Sequence, residues 1–351
     1  MDDRLRFRLS VALVALALVA CTRASEASPS SHDSGPVAAP RSLRETGLYA
    51  ADGTTVADGI LWFSPQYPLW TDGATKLRYL ALPPGTSIDA SDPEAWSFPI
   101  GTRIWKEFSF GRRAETRYMA LTERGWIYAT YVWNAAGDAA FRSDDAGAAT
   151  SADVSPGVPH RAPSVAECRG CHENAATPVL GFSLLQLSSD RDPGAPHAAA
   201  SSERDVDLQA LVARGLVRNL PARFVASPPR ITARSPDERA ALGYLHGNCG
   251  GCHRDDGPLA SLGMSLAYVD DGRVARAIAT TFGVPSGFVP DPFDVDAPMR
   301  IAPGDSAASV LLARVRARDP VDQMPPLGTH LVDDDAVALL DRWIAAASPT
   351  R

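Results

Sequence analysis

Ser235-Pro236-Asp237-Glu238-Arg239-Ala240-Ala241-Leu242-Gly243-Tyr244-Leu245-His246-Gly247-Asn248-Cys249-Gly250-Gly251-Cys252-His253 is the stretch on which the reading of this 351-residue chain turns. Its first half is a helix start. Ser235 is an N-cap, Pro236 takes the first helical position, and Asp237 and Glu238 put acids in the first turn, with Glu238 placed for a capping box. Ala241, Leu242, Tyr244 and Leu245 continue the helix towards Asn248. The stretch ends in Cys-x-x-Cys-His, and the same pentapeptide stands upstream as Cys168-Arg169-Gly170-Cys171-His172.

That pentapeptide has one chemistry that uses all its parts. Two thiols two residues apart reach the two vinyl groups of one porphyrin and form thioethers, and the next histidine binds the iron from below. The expectation is two c-type haems, attached at Cys168 and Cys171 and at Cys249 and Cys252, with His172 and His253 as proximal iron ligands. A zinc ribbon sets its two cysteine pairs roughly 15–20 residues apart. Here the second pair comes far later, and zinc gives no reason for both pairs to end in histidine. A redox dithiol would sit in a βαβ pattern, and none surrounds either pair. Of the five cysteines only Cys21 lies outside the motifs, so no pair remains for a structural disulfide.

Downstream of the second motif, Ser306 to Val315 reads as a short helix and Asp333 to Ile344 as a longer one capped by Asp333. Gln323-Met324-Pro325-Pro326-Leu327-Gly328 lies before the latter. From Ser235 to Ala347 this layout resembles a class I cytochrome c domain, in which a helix delivers the haem motif and a later helix crosses it. The resemblance implies that Met324 is the distal ligand of the second haem, held by the prolines after it; the plain alternative is a packing methionine. Methionine with histidine raises the reduction potential relative to two histidines. The first haem segment departs from that pattern, with no methionine between Cys168 and Arg230. Its distal ligand is open among His160, His197, His246, Met264, Met299 and a vacant position. An amphipathic helix is expected there over Glu203 to Arg214, on Val206, Leu208, Leu211 and Val212. Asp291, Asp294 and Asp296 read as a solvated acidic loop, without EF-hand spacing.

Residues 42–141 read differently, as short aromatic and β-branched runs between turns: Leu77 to Leu82, Thr102 to Phe110, Thr116 to Leu121, Trp126 to Trp133. They suggest an antiparallel β-domain of sandwich or open-barrel type. Six of the seven tryptophans fall here, Trp62, Trp70, Trp96, Trp105, Trp126 and Trp133, and are read as core and haem cover rather than as an exposed binding platform. Residues 142–163, rich in Asp, Ala, Gly and Pro, read as a linker. The fold class is therefore α+β and multidomain: a β-domain at 42–141, a first haem segment at 164–232 and a class I-like region at 233–351.

At the N-terminus, Arg4, Arg6 and Arg8 precede an apolar run from Leu9 to Ala20, a signal peptide over 1–20. Leu18-Val19-Ala20-Cys21 resembles a bacterial lipobox, which implies that Cys21 carries the lipid. Thr22 in place of an aspartate implies, by resemblance to Gram-negative lipoproteins, the outer membrane facing the periplasm. Residues 21–41 read as a flexible tether. A net charge of −7 argues against nucleic acid and suits a redox partner protein with a basic docking face. Taken whole, the chain resembles bacterial extracytoplasmic dihaem cytochromes with a β-rich region before two haem segments. One-electron relay between periplasmic or membrane-bound partners is the expectation. The rivals are a dihaem peroxidase-like oxidoreductase with an open first haem, and a ligand-binding β-domain with a redox output.

Overall fold

Four runs covered on both faces build the sheet expected for the N-terminal region. In the computed structural model, which describes residues 38–200, 202–269 and 276–348, there are ten strands and seven α-helices. In chain order the strands are β1 (Leu61–Trp62), β2 (Thr75–Ala81), β3 (Ile88–Asp89), β4 (Arg103–Ser109) and β5 (Arg113–Thr122), followed by β6 (Gly125–Trp133), β7 (Ala140–Arg142), β8 (Ala148–Ser155), β9 (Val158–Ala162) and β10 (Val217–Arg218). The helices are α1 (Val165–His172), α2 (Leu208–Ala213), α3 (Arg223–Ala226), α4 (Pro236–Asn248), α5 (Arg276–Thr281), α6 (Val310–Arg316) and α7 (Asp334–Ala345). Residues 1–20, where a signal peptide is expected, and Cys21 lie outside the described residues.

Six strands pair antiparallel in the order β1-β2-β4-β5-β6-β7. One face carries Tyr79, Trp105, Tyr118 and Tyr131 and packs against Leu43, Leu48 and Tyr49. The other carries Leu80, Ile104, Met119 and Tyr128 and packs against Val179, Phe182, Leu184 and Leu187, which follow the first motif. The sandwich or barrel is thus corrected to one open sheet. Its second face is covered by apolar side chains from later in the chain instead of by a second sheet. Trp96, Trp105 and Trp133 are buried, and Trp62, Trp70 and Trp126 are half-buried, as core tryptophans should be.

The linker at 142–163 is corrected as well. β8 and β9 form a hairpin that turns at Pro156-Gly157, where Gly157 takes φ 78°. Its inward residues are Ala152, His160 and Ala162, too small or too polar to give a hydrophobic alternation in the sequence. The last residues assigned to the tether are also packed. Ala39 is buried, the Tyr131 hydroxyl donates to the Pro40 carbonyl at 2.8 Å, and Arg142 N–H donates to the Arg41 carbonyl at 2.9 Å.

The helices follow their caps. α4 and α7 start where expected, on Ser235 and Asp333. Glu238 Oε1, however, accepts from the Arg234 N–H at 3.2 Å, one residue before the N-cap. α2 begins at Leu208 rather than at residue 203, because Asp207 is its cap and Val206 N–H donates to the Trp62 carbonyl at 2.8 Å. α6 begins at Val310 rather than at residue 306, since Ser309 stays extended and its hydroxyl donates to the Asp305 carbonyl at 2.8 Å. α1 was not anticipated, although Ser164 and Glu167 spell its capping box in the sequence.

α4, α6 and α7 pack around Leu242, Leu245, Leu312, Leu340 and Ile344. Tyr67 from the β-region and Leu185 from the first-motif segment enter this same core, and the described residues lie in one compact unit. The entry of Tyr67 depends on two glycines one turn apart on α4. A β-carbon on Gly243 would overlap the Tyr67 ring, and one on Gly247 would overlap the Tyr67 carbonyl. Alanine improves helix propensity at such positions, yet overpacking costs about 1–3 kcal/mol. Gly243→Ala is therefore expected to lower stability in chemical denaturation, against the sign that propensity alone gives.

Candidate functional site

Both Cys-x-x-Cys-His motifs open onto one cavity of about 1090 Å³, between the sheet and the helical core. That exceeds the roughly 300–1,000 Å³ of a single small-molecule site. Cys168, Cys171 and His172 share one face of α1 by their i, i+3, i+4 spacing. Cys249 is the C-cap of α4, and its carbonyl accepts from Cys252 N–H at 3.1 Å and His253 N–H at 2.9 Å, which folds the second motif into a turn. The segments that follow the two motifs meet: Arg254, beside His253, donates to the Asn174 carbonyl at 3.2 Å.

The four thiols are free. Burial pushes Cys168 up to about 11 and Cys249 up to about 12, so both are protonated at neutral pH. Among the described residues no three His, Cys, Asp or Glu side chains gather into a ligand set for a bare ion. Asp291, Asp294 and Asp296 are exposed.

His172 is oriented for a ligand. Its Nδ1 lies 2.6 Å from the Pro178 carbonyl, which can only accept, so Nδ1 carries the hydrogen and Nε2 keeps a free lone pair. The Tyr128 ring lies 5.6 Å from it. Burial lowers its pKa to about 4, which keeps it neutral. Burial also lowers that of His253, whose Nδ1 is buried without a hydrogen-bond partner. Met324 lines the same cavity, with its backbone N–H donating to the Arg314 carbonyl at 2.9 Å.

One turn of the β-region braces this end of the cavity. Buried Asp72 accepts at Oδ1 from the backbone N–H groups of His330 at 2.7 Å and Leu331 at 2.8 Å, and its Oδ2 lies 3.2 Å from His330 Nδ1. Two residues earlier, Trp70 N–H donates to the Asn248 side chain at 2.6 Å, immediately before Cys249. The turn Trp70-Thr71-Asp72-Gly73 therefore ties the end of α4 to the loop that follows Met324. The sequence presents it as a polar turn without a partner.

The candidates for the first distal position separate. His197 is not a cavity residue; it holds Asp333 Oδ1 at 2.8 Å and stacks on Trp70. Met299 also lies away from the cavity, its main chain bridging Pro285 and Ser309. His246 lines the cavity, but its Nδ1 accepts from Tyr268 N–H at 3.1 Å, which leaves the hydrogen on Nε2. His160 lines it with Nε2 3.1 Å from Glu115 Oε1 and Nδ1 unpartnered. Met264 lines it beside the helical core. Sequence reasoning missed Met119, a buried cavity residue on β5 opposite Tyr128, because only strand pairing brings it to the cavity. It also missed Arg78, Lys106 and Arg117, charged residues on an inward-facing register.

No family model, curated protein or solved structure matches this chain. Function has to be read from the site.

Burial holds His246 neutral, with its pKa lowered to about 4. Its ordinary value is about 6.5, so between these two pH values the unfolded chain binds the extra proton. The stability it contributes is full above pH 6.5 and is lost as pH falls through about 4. His246→Gln, with an amide oxygen to take the Tyr268 N–H, is expected to flatten the acid limb of a Tm-against-pH curve across that window. An unchanged slope refutes the assignment.

Proposed function

We propose that this protein is a dihaem c-type cytochrome that relays single electrons, with one haem held by Cys168 and Cys171 and the other by Cys249 and Cys252. The observation that carries the reading is the opening of both motifs onto one large cavity, with His172 Nε2 free for iron. A bound haem supplies reversible one-electron exchange between ferric and ferrous iron. The chain's part is to hold, orient and desolvate. His172 is fixed by Pro178, and His253 follows directly on the turn that ends α4. Met324 is offered from a loop pinned at Arg314 behind it and at Asp72 ahead of it. The contact between Arg254 and Asn174 brings the two attachment segments together, which suits exchange between the two centres.

The peroxidase-like alternative gains from one specific feature. His197 and His246 are engaged elsewhere and His160 Nε2 faces Glu115, so none of these three candidates offers the first centre a free Nε2. The binding-platform alternative gains nothing, since all seven tryptophans are buried or half-buried. A periplasmic setting, a lipid on Cys21 in the outer membrane and redox proteins as partners complete the proposal, on the sequence reading alone.

Chain matured in a periplasm is expected to carry two haems, falling to one in Cys171→Ser or Cys252→Ser, as counted by pyridine haemochrome absorbance. Fewer than two in the wild type refutes the reading. Carbon monoxide should leave the reduced spectrum of an electron relay unchanged; a shift at one haem moves the assignment to the peroxidase-like chemistry. Met324→Ala should open the second haem to carbon monoxide and lower its potential. An unaltered second haem removes Met324 from the iron.

A further inference from the structure

Arg78, Lys106 and Arg117 stand side by side on the cavity face of the sheet. Register pairs Arg78 on β2 with Lys106 on β4, and Lys106 with Arg117 on β5. Directly opposite residues leave a sheet on the same side, and like charges placed so destabilise it. All three line the cavity. Lys76, two residues along β2, adds a further cation, with its Nζ donating to the Leu69 carbonyl at 2.6 Å.

The acids nearby do not offset this row. Glu115 Oε1 receives Arg117 at 2.8 and 2.6 Å and lies 3.1 Å from His160, while its Oε2 makes no hydrogen bond among the described residues, so the carboxylate reaches neither Arg78 nor Lys106. Asp205 acts on Arg78 without a hydrogen bond to it. Among the described residues the buried Arg78 guanidinium makes no hydrogen bond, and the Lys106 ammonium has the Phe108 ring at 5.1 Å but no ion pair. Desolvation, then the neighbouring cations Arg78, Lys76 and Arg117, push Lys106 well below the usual lysine range. Breaking a buried ion pair leaves an uncompensated charge at high cost. A row like this one, with one carboxylate between three cations, has the composition of half an ion-pair cluster.

We propose that the missing half is the pair of carboxylates of the haem attached at Cys168 and Cys171, its propionates, seated on Lys106 and Arg78 with Arg117 flanking. The assignment rests on the dihaem reading. It goes to the first haem because the sheet face that carries the row also carries Ile104, Met119 and Tyr128, against which Cys168 packs and whose Tyr128 ring lies 5.6 Å from His172, whereas Cys249 of the second motif packs on the helical core. Guanidinium and ammonium groups match carboxylates in charge and geometry. Ferric iron carries one more positive charge than ferrous iron, so fixed cations beside the ring favour the reduced state.

The test uses the matured, full-length protein in four forms: wild type, Lys106→Met, Arg78→Gln and the charge-keeping control Lys106→Arg. Haems per chain are counted first, and spectroelectrochemical titration then resolves the two potentials. Both neutralising variants are expected to keep two haems and to shift one reduction equilibrium towards the oxidised state by roughly tenfold. The other haem should not move, and Lys106→Arg should restore the wild-type value. Two haems with both potentials unchanged in both variants overturns the propionate assignment alone, whereas a wild type with fewer than two haems overturns the dihaem reading and this assignment together. A potential that follows the concentration of added acetate or phosphate gives the row to a free anion, which also overturns it. Should a variant fail to accumulate, the infrared difference spectrum of the wild type decides: ionised propionates at the first haem support the seat, and a protonated propionic acid there overturns it.

Discussion

The close crossing of Tyr67 over α4 is the contact on which the rest of the architecture hangs. Gly243 and Gly247 leave no side chain between the helix and the β1–β2 connection, so the β-region settles directly on the helix that ends in the second motif. Three residues further on from Tyr67, Trp70 meets Asn248, and two further still Asp72 takes the backbone of His330 and Leu331. A short run of chain thereby sets the distance between sheet, helix end and the Met324 loop. The cavity is the space that these constraints leave, with the apolar sheet face as one wall and the helical core as the other.

Much of the fold could be read from the residues because local chemistry decides it. β2, β4, β5 and β6 carry aromatic and β-branched runs between turns, and α4 and α7 start on side chains that cap them. The missed parts have local signals that are faint or overridden. The β8–β9 hairpin buries alanine and histidine, which look like linker composition. The first turn expected of α2 is taken by a main-chain bond from Val206 to Trp62, which no window around residue 206 contains. α1 is the exception, since its capping box was there to be read.

For the site, spacing carries the cysteines and histidines of the two motifs, since both motifs are contiguous in sequence and both line the cavity. What spacing cannot carry is company. Whether a histidine has a free nitrogen is decided by Tyr268, Asp333 or Glu115, each far from it along the chain. Met119 and the Arg78–Lys106–Arg117 row belong to the site only because strands bring them there. A charged residue on an otherwise apolar strand face was the available sign, and Lys106 between Ile104 and Phe108 displays it.

The bond from Asp72 to His330 spans 258 positions of the chain. Contacts of such separation form late, because the intervening loop must be closed before they repay its entropy. In chain order the sheet, α1 and both motifs all precede the wall that carries residues 324–331. The cavity is an open trough until that wall docks, with the thiols reachable from the missing side. Closing the loop from Asp72 to His330 therefore converts a trough into an enclosure, and the slowest contact of the fold is also the one that sets access.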